Sequence, residues 1–394
     1  MYSHNIVENE KLVLNYPGYY ECPVITNGIS TEDILLQPAD LSIVDRRSEV
    51  DANTFIMNAP MATAYSLKMA KKMIELNQIV VVPRFSLEEN RDLRTELLNF
   101  LLEEEAAHGI TSYNQVFYAV GLDDAINFIE TASQLRSDKQ LDLLPFLNIC
   151  VDVAIGSSLR SLELYAKIRD FLEVKHLMSG SLATAGQANL AYHSGCDYLR
   201  IGVGGGSACK TRVETGVGIP TLSSVLAISA LKRIKAWPHD VKLIADGGIS
   251  NSGQIAKYLV AGADYVMSGR LFAETSETDG WEALLNIDPD VPFDPNQSFS
   301  LEHYKFIKRY AGQASTEFLS NVLGKNFTYG EGVGFNLEFN NLKLETLIHN
   351  LEYGLRSAAS YLGINSFDEF YGATRFIKIT PSGYREGLPL NVHQ

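Results

Sequence analysis

Residues 198–212 read Tyr-Leu-Arg-Ile-Gly-Val-Gly-Gly-Gly-Ser-Ala-Cys-Lys-Thr-Arg, a short apolar run that turns into a glycine-rich loop. The run 198–201 has the length and composition of a buried β-strand. The loop carries Cys209, with Lys210 and Arg212 beside it. Glycines expose backbone N–H groups that bind phosphate, and positive neighbours favour the reactive thiolate. The stretch therefore predicts a strand that ends in a reactive, phosphate-binding loop.

Similar β-rich runs recur along the chain, and most of them are separated by segments with helical periodicity. Buried parallel strands read as continuous apolar runs, and their alternation with helices predicts βα units. About eight such units predict an α/β fold, a (β/α)8 TIM barrel, although periodicity alone leaves a doubly wound sheet as the alternative. The further runs are 55–57, 79–82, 116–120, 146–153, 176–178, 242–245 and 265–267, and the helical segments are 64–76, 123–135, 159–171, 186–194, 222–236 and 252–261.

Polar and glycine-rich residues follow the later strands, and this position favours the barrel. Barrel enzymes carry their active site at the carboxyl ends of the strands, often with a phosphate site after the seventh and eighth. The sequence therefore predicts one site where these ends meet. The strand-end residues are Asp152, Gly180-Ser181, 202–207, Asp246-Gly247-Gly248 and Ser268-Gly269-Arg270.

The composition bounds the class of protein. The chain has 394 residues, 46% of them hydrophobic, which excludes disorder and predicts a large core. The net charge of −14 argues against a broad nucleic-acid surface. No apolar run approaches the roughly 18 residues of a membrane span, and the N-terminus lacks the layout of a signal peptide. We expect a cytoplasmic protein without a nucleic-acid or membrane partner.

The organisation predicted from these patterns is one barrel domain over residues 1–394. Its core covers about 52–280, and a C-terminal lobe of about 281–394 contains a helix over 342–362, with no inserted regulatory module. The cysteines other than Cys209 are too few and too scattered for a disulfide scaffold. We interpret Cys22, Cys150 and Cys196 as structural thiols.

Several motifs together resemble the IMP dehydrogenase / GMP reductase family, and the resemblance covers most of the chain. The loop 202–212, followed by Gly-Val-Gly-Ile-Pro at 216–220, is similar to the family's catalytic loop. A single glycine motif would be weak, but an ordered set is strong. The supporting segments are Asp-Ile-Leu-Leu-Gln-Pro at 33–38, Ala59-Pro60-Met61, Ile-Ala-Asp-Gly-Gly-Ile at 244–249, and 261–267 leading to Gly269.

The resemblance implies a role for each site residue. Cys209 would attack C2 of a purine nucleotide, Thr211 would assist proton transfer, and Glu331 would act as an acid. Asp246 would bind both ribose hydroxyls, since one carboxylate accepts two hydrogen bonds. The resemblance further assigns Ser207, Gly248 and Gly269 to the 5′-phosphate, Arg270, Tyr310, Gln313 and Gly332 to the nucleotide, Asp152, Gly202 and Gly204 to NADPH or NADH, and Gly204, Gly206, Cys209 and Glu386 to a candidate potassium site. It also implies a homotetramer, in which neighbours complete the cofactor site.

The family contains dehydrogenases and reductases, and the segment 312–331 distinguishes them. Dehydrogenases hydrolyse the covalent adduct with a mobile flap that carries an Arg-Tyr pair. Here the flap landmarks, Gly312 and Glu331, are 331 − 312 = 19 residues apart, and no Arg-Tyr lies between them. Without a water activator the hydrolytic step lacks its base. We therefore favour GMP reductase, GMP plus NADPH to IMP plus ammonia, over IMP dehydrogenase.

Other residues depart from both patterns. Gln313 stands where the family has a methionine that contacts the base, and the reductase's basic residues near Glu331 are replaced by Thr328 and Val333. Arg270 could pair with phosphate or point to solvent. The tail Arg-Glu-Gly at 385–387 resembles that of dehydrogenases, which holds a monovalent cation. A nucleotide-binding protein that has lost turnover is a further alternative.

Overall fold

The structure is a computed structural model that describes residues 27–109, 113–142, 145–171, 173–237, 240–286, 304–322, 324, 329–338 and 341–388. Two residues singled out in the sequence, Cys22 and Thr328, lie outside the described residues. No helix among the described segments has the length and apolar character needed to cross a membrane.

The strands of the described chain form three sheets. Eight parallel strands form the central sheet, three antiparallel strands form a sheet outside it, and two strands near the chain ends pair antiparallel. In chain order they are β1 (Ile34–Leu36), β2 (Ile56–Asn58), β3 (Val80–Val82), β4 (Val116–Val120), β5 (Leu147–Val151), β6 (Val174–Met178), β7 (Tyr198–Ile201), β8 (Lys242–Asp246), β9 (Tyr265–Ser268), β10 (Trp281–Asn286), β11 (Tyr304–Ala311), β12 (Gly334–Glu338) and β13 (Phe376–Lys378).

Helices follow most of the central strands, and many of these helices are capped at the N-terminus by a short polar side chain. Ser66, Asp92, Ser158, Thr184 and Asn251 each accept a backbone N–H of the first helical turn. The helices are α1 (Leu67–Glu75), α2 (Leu93–His108), α3 (Ala125–Asp138), α4 (Leu159–Arg169), α5 (Ala185–His193), α6 (Thr211–Thr215), α7 (Thr221–Arg233), α8 (Ser252–Ala261), α9 (Arg270–Ala273), α10 (Thr316–Asn321), α11 (Leu344–Leu362) and α12 (Pro381–Glu386).

The central sheet confirms the predicted (β/α)8 barrel and excludes the doubly wound sheet. Its strands follow the order β2-β9-β8-β7-β6-β5-β4-β3, every ladder is parallel, and the two outermost strands meet where Met57 bridges Ile79. The predicted runs 116–120 and 198–201 match β4 and β7 at both ends. The C-terminal helix begins at Leu344, two residues later than expected.

Two side-chain amides complete the closure between β2 and β3, where the backbone ladder is reduced to a bridge. The Asn58 amide donates to the Val81 carbonyl at 2.7 Å and accepts the Val81 N–H at 2.9 Å. The side-chain oxygen of Gln78, Oε1, accepts hydrogen bonds from the backbone N–H groups of Phe55 and Ile56. Buried backbone groups must be paired, and the Asn58 side chain pairs the N–H and C=O of Val81 in place of a neighbouring strand.

The barrel separates two apolar layers. Inward-pointing side chains fill its interior, among them Met57, Cys150, Met178, Tyr198 and Ile244, and the larger layer lies between the strands and the surrounding helices. The thiols of Cys150 and Cys196 are free and buried, as their structural interpretation predicts. Burial raises the pKa of the Cys150 thiol to about 12, so this cysteine is uncharged at neutral pH.

The outer sheet, which comprises β10, β11 and β12, was not predicted from the sequence. Its antiparallel register joins Trp281 to Arg309 and Tyr310 to Phe335. Its base is fixed to the barrel by Lys308, whose buried ammonium donates to the backbone oxygens of Thr275 and Thr278. The outer sheet therefore rises from the carboxyl end of the barrel, beside the last strand.

We expect Asn58→Leu to destabilise the barrel by about 2–4 kcal/mol, because the N–H and C=O of Val81 lose their partners inside the core. Urea denaturation measures the free energy of unfolding. Asn53→Leu is the matched control, since Asn53 is exposed and bonds Asp368 at the surface. Equal effects of the two changes would contradict the role of Asn58 in closure.

Candidate active site

The carboxyl ends of the barrel strands surround one large cavity of about 510 Å³. Every site residue predicted from the sequence lines it except Glu386. The predicted residues that line it are Asp152, Gly202, Gly204, Gly206, Ser207, Cys209, Thr211, Asp246, Gly248, Gly269, Arg270, Tyr310, Gln313, Glu331 and Gly332. The strand-end rule accounts for the residues from Asp152 to Arg270, which lie up to 118 positions apart (270 − 152 = 118). Tyr310, Gln313, Glu331 and Gly332 come instead from β11 and from the segment between β11 and β12.

Three side chains form a short relay at the reactive loop. The Cys209 Sγ lies 3.2 Å from the Thr211 Oγ1, and this hydroxyl donates to the Glu331 Oε2 at 2.8 Å. A hydroxyl both donates and accepts, so Thr211 can pass a proton between the carboxyl group and a group bound at the sulfur. Cys209 is partly exposed to the cavity.

Backbone hydrogen bonds hold Glu331 beside the cysteine although 331 − 209 = 122 residues separate them. The Lys210 N–H donates to the Glu331 carbonyl at 2.6 Å, and the Val333 N–H donates to the Ala208 carbonyl at 2.9 Å. Between these bonds, Cys209 and Gly332 form an antiparallel bridge. The reactive loop is therefore held to the segment 331–333 by an antiparallel bridge and the backbone bonds on either side of it.

Arg212 stabilises the glycine loop rather than contacting the thiol. Its Nε donates to the Val203 carbonyl at 2.9 Å and its Nη2 to the Ile219 carbonyl at 2.6 Å. These bonds tie the two glycine-rich arms of the loop together. The Cys209 sulfur contacts the Thr211 hydroxyl, so this hydroxyl is placed to influence the reactivity of the thiol, whereas Arg212 is engaged with the loop backbone.

The wall after β8 and β9 carries the residues expected to hold a ribose and a phosphate. A side chain on Gly269 would begin 2.5 Å from the Tyr310 Oη, so only glycine fits there. The Tyr310 hydroxyl contacts the Met61 sulfur at 3.4 Å, and burial raises the pKa of Tyr310. Arg270 lines the cavity but its Nε donates to Glu274 at 2.9 Å, so a phosphate would share this guanidinium.

Gln313 joins the start of the segment 312–331 to the end of β2. Its side-chain amide donates to the Pro60 carbonyl, and both residues line the cavity. A carbonyl only accepts, which fixes the amide nitrogen toward Pro60 and leaves the side-chain oxygen for another donor. Gln313 thus presents a polar acceptor in a wall otherwise formed by Ala59, Pro60 and Met61.

Arg200 is the site residue that the sequence interpretation missed. It lies on β7, and its side chain is 11% exposed. Its Nε donates to the Asp246 Oδ2 at 2.7 Å and its Nη1 to the Asp152 Oδ1 at 2.9 Å. Burial alone would lower the pKa of Arg200, but the two carboxylates raise it above its ordinary value. A charged residue inside an apolar strand was the signal that could have identified it.

Glu386, assigned to a candidate potassium site, ends α12 and is not among the residues that line the cavity. α12 packs against the short helix Thr31–Asp33, beside the pair of β1 and β13. Gly204, Gly206 and Cys209 are at the cavity. Within one chain, the four residues of that candidate site are therefore not brought together at the cavity.

Residues 28–390 match the family model of the IMP dehydrogenase / GMP reductase domain.

The chain belongs to the IMP dehydrogenase / GMP reductase family.

Curated relatives of this family have moderate identity to the chain. It is 32% identical over 256 residues to inosine-5′-monophosphate dehydrogenase of Chlorobaculum tepidum, which covers 62% of this chain and 47% of the relative. The enzyme of the same name from Aquifex aeolicus is 33% identical over 247 residues, 60% of this chain and 46% of the relative. The enzyme of the same name from Methanocaldococcus jannaschii is 31% identical over 262 residues, which make up 62% of this chain and 48% of the relative. The matched part thus spans about half the length of these relatives.

The family's glycine loop has a steric requirement at Gly202 that we can test. Gly202 has φ +153°, and a Cβ there would lie 2.1 Å from the Asp246 carbonyl oxygen. We expect Gly202→Ala to displace the loop from β8 and to lower the free energy of unfolding.

Gly216→Ala is the matched control, because Gly216 has φ +69° with nothing within 4 Å of the added carbon. This control should cost only the roughly 1–2 kcal/mol of a left-handed conformation. Urea denaturation measures the loss in each variant. Equal losses for both variants would show that close approach to Asp246 is not what requires Gly202.

Proposed function

We propose that this protein is a GMP reductase, which converts GMP and NADPH to IMP and ammonia through a covalent adduct on Cys209. The relay from Cys209 through Thr211 to Glu331 carries this proposal, with its two contacts of 3.2 and 2.8 Å. Removal of an amino group from a purine needs a nucleophile at one face of the carbon and a proton for the departing nitrogen. The relay supplies both at one point of the cavity.

The proposed nucleotide position follows from the lining of the cavity. Backbone N–H groups of the glycine turns at Gly248 and Gly269 suit a phosphate. The Asp246 carboxylate suits the ribose hydroxyls, with one oxygen already held by Arg200. The base would then lie beside Cys209, where Met61 and Pro60 provide an apolar wall.

In the covalent step, the relay supplies both the nucleophile and the proton for the leaving group. The Cys209 thiolate attacks C2 of guanine, the bond from C2 to the exocyclic nitrogen breaks, and ammonia departs with a proton that Thr211 passes from Glu331. The purine is left bonded to sulfur at C2. When bound, the reduced nicotinamide supplies the hydride for C2. The bond to sulfur then breaks, and Cys209 regains its electron pair.

The residues beyond the nucleotide position fit a nicotinamide cofactor. This part of the cavity is lined by Asp152 and by the apolar side chains of Ile155, Val203 and Val217. Ile155 and Val217 are exposed, which leaves apolar surface at the mouth of the cavity. A flat ring with an apolar face would cover that surface, and Asp152 would accept a hydrogen bond from it or from its ribose.

The reductase direction is favoured by what the segment 312–331 lacks. It contains no arginine, so it has no Arg-Tyr pair to activate water. The adjacent Arg309-Tyr310 is fixed in place: Arg309 donates to both oxygens of Glu317 and to Asn336, and Tyr310 is buried. A pair held in this way is not free to replace the cofactor beside the cysteine.

IMP dehydrogenase is the second candidate, because the curated relatives carry that name and the tail 385–387 resembles theirs. In that case potassium dependence would be expected, with Glu386 of one chain acting at the loop of another. A homotetramer, which the family resemblance implies, is part of this proposal for either activity. Activity that requires potassium would favour the dehydrogenase.

We expect Glu331→Gln to reduce GMP turnover by roughly 10²–10⁴, because the relay loses the proton for the departing ammonia. Calorimetry should show GMP affinity within about twofold of the wild type. Cys209→Ala should abolish turnover altogether. Glu338→Gln serves as the control, since Glu338 lies exposed on β12 and pairs with Lys305. Full activity of the Glu331 variant would remove the relay from the reaction.

We expect the protein to turn over GMP with reduced cofactor many times and to release free ammonia. With IMP and oxidised cofactor, at most one equivalent of reduced cofactor should form, because the adduct has no base to hydrolyse it. Absorbance of the reduced nicotinamide follows both reactions. Sustained formation of XMP from IMP, faster than GMP reduction, would contradict the proposal and establish the second candidate.

A further inference from the structure

Arg200 occupies a position inside the barrel where apolar side chains are the rule. Side chains alternate along a strand, and Tyr198 on β7 points into the barrel, so Arg200 points inward one layer higher. Interior layers of such barrels are dominated by Val, Ile and Leu. A buried charge is stabilising only when its partners are well placed, and an apolar residue often serves stability as well or better. Stability alone therefore does not explain why an arginine occupies this position.

The guanidinium joins two carboxylates from two other strands. Asp246 ends β8 and Asp152 follows β5, and each gives one oxygen to Arg200, at 2.7 and 2.9 Å. The thiol of Cys150 in the same interior is uncharged, so these carboxylates supply the compensating charge. The other Asp152 oxygen has no hydrogen-bond partner among the described residues, and the Arg84 Nε lies 3.9 Å from it.

The planar fork of an arginine fixes the direction of each carboxylate that it bonds. Asp246 and Asp152 both line the cavity, on the sides assigned to the nucleotide and to the cofactor. Each therefore keeps one oxygen turned away from Arg200. The spacing between these two acceptors is set by one rigid group, and the distance between the two bound molecules depends on it.

We propose that Arg200 is a positioning residue shared by the two ligands: it orients Asp246 toward the nucleotide and Asp152 toward the cofactor. This inference rests on the proposed function for the identity of the ligands. It goes beyond that function in assigning the alignment of both ligands to one side chain, which lines the cavity and bonds the carboxylate on each side. Loss of the fork should weaken the binding of both molecules, whereas loss of either carboxylate should weaken the binding of only one.

The test uses Arg200→Lys, which keeps the charge but loses the planar fork. Calorimetry measures GMP affinity, and fluorescence of the reduced cofactor measures NADPH affinity, in the wild type and in Asp246→Asn and Asp152→Asn backgrounds. We expect Arg200→Lys alone to weaken each ligand roughly tenfold, the effect of one charge-assisted hydrogen bond. In the Asp246→Asn background it should no longer change GMP affinity, and in the Asp152→Asn background it should no longer change NADPH affinity.

Arg169→Lys is the matched control, because Arg169 also bonds a carboxylate, Asp197, but at the amino end of β7. It should leave both affinities within about twofold. An Arg200→Lys effect of the same size in the carboxylate backgrounds would overturn the proposal, since Arg200 would then act by another route. So would an unchanged affinity for either ligand. A wild-type chain that binds neither GMP nor NADPH would instead overturn the proposed function, and with it the identity of the two ligands.

Discussion

The pairing of the reactive loop with the segment 331–333 is the interaction on which the site depends. Two backbone hydrogen bonds, from Lys210 to Glu331 and from Val333 to Ala208, bring a carboxyl group to a cysteine more than a hundred residues away. Backbone bonds fix position independently of side-chain identity, so the relay through Thr211 has a defined geometry before any ligand binds. The barrel supplies the loop, and the segment that leads into β12 of the outer sheet supplies its partner.

The outer sheet links this pairing to the rest of the cavity. β11 contains Tyr310 and leads directly into Gln313, and β12 begins just after the paired segment. Lys308 fixes the outer sheet to the segment that follows α9, through Thr275 and Thr278. A shift of the outer sheet would therefore move Gln313 and Glu331 together. This coupling explains why a segment with little barrel character carries several residues of the site.

Much of the barrel and its site could be predicted because parallel strands leave a strong local signal. β4 and β7 were bounded correctly by their apolar runs, and the residues after the strands gathered at one cavity because parallel strands end on the same side. The family resemblance added Glu331, which no local pattern marks as an acid.

The missed features depend on contacts between distant segments. The outer sheet forms by antiparallel pairing of β10, β11 and β12, which have no shared sequence motif to signal their register. The run 198–201 predicts a buried apolar strand and gives Arg200 no role in the site. Alternation from Tyr198 places Arg200 inside the barrel, but its carboxylate partners lie on other strands. Asn58 follows the predicted run 55–57, and its role depends on the backbone of Val81, a neighbour only in the closed barrel.

The central claim is that Cys209 forms a covalent bond to the purine and that this chain has no means of hydrolysing it. Mass spectrometry of the intact protein, after incubation with IMP and oxidised cofactor, measures this directly. The account predicts one nucleotide per chain, attached to the peptide that contains Cys209 and persisting after excess ligand is removed. A protein that carries no adduct while XMP accumulates in solution would contradict it.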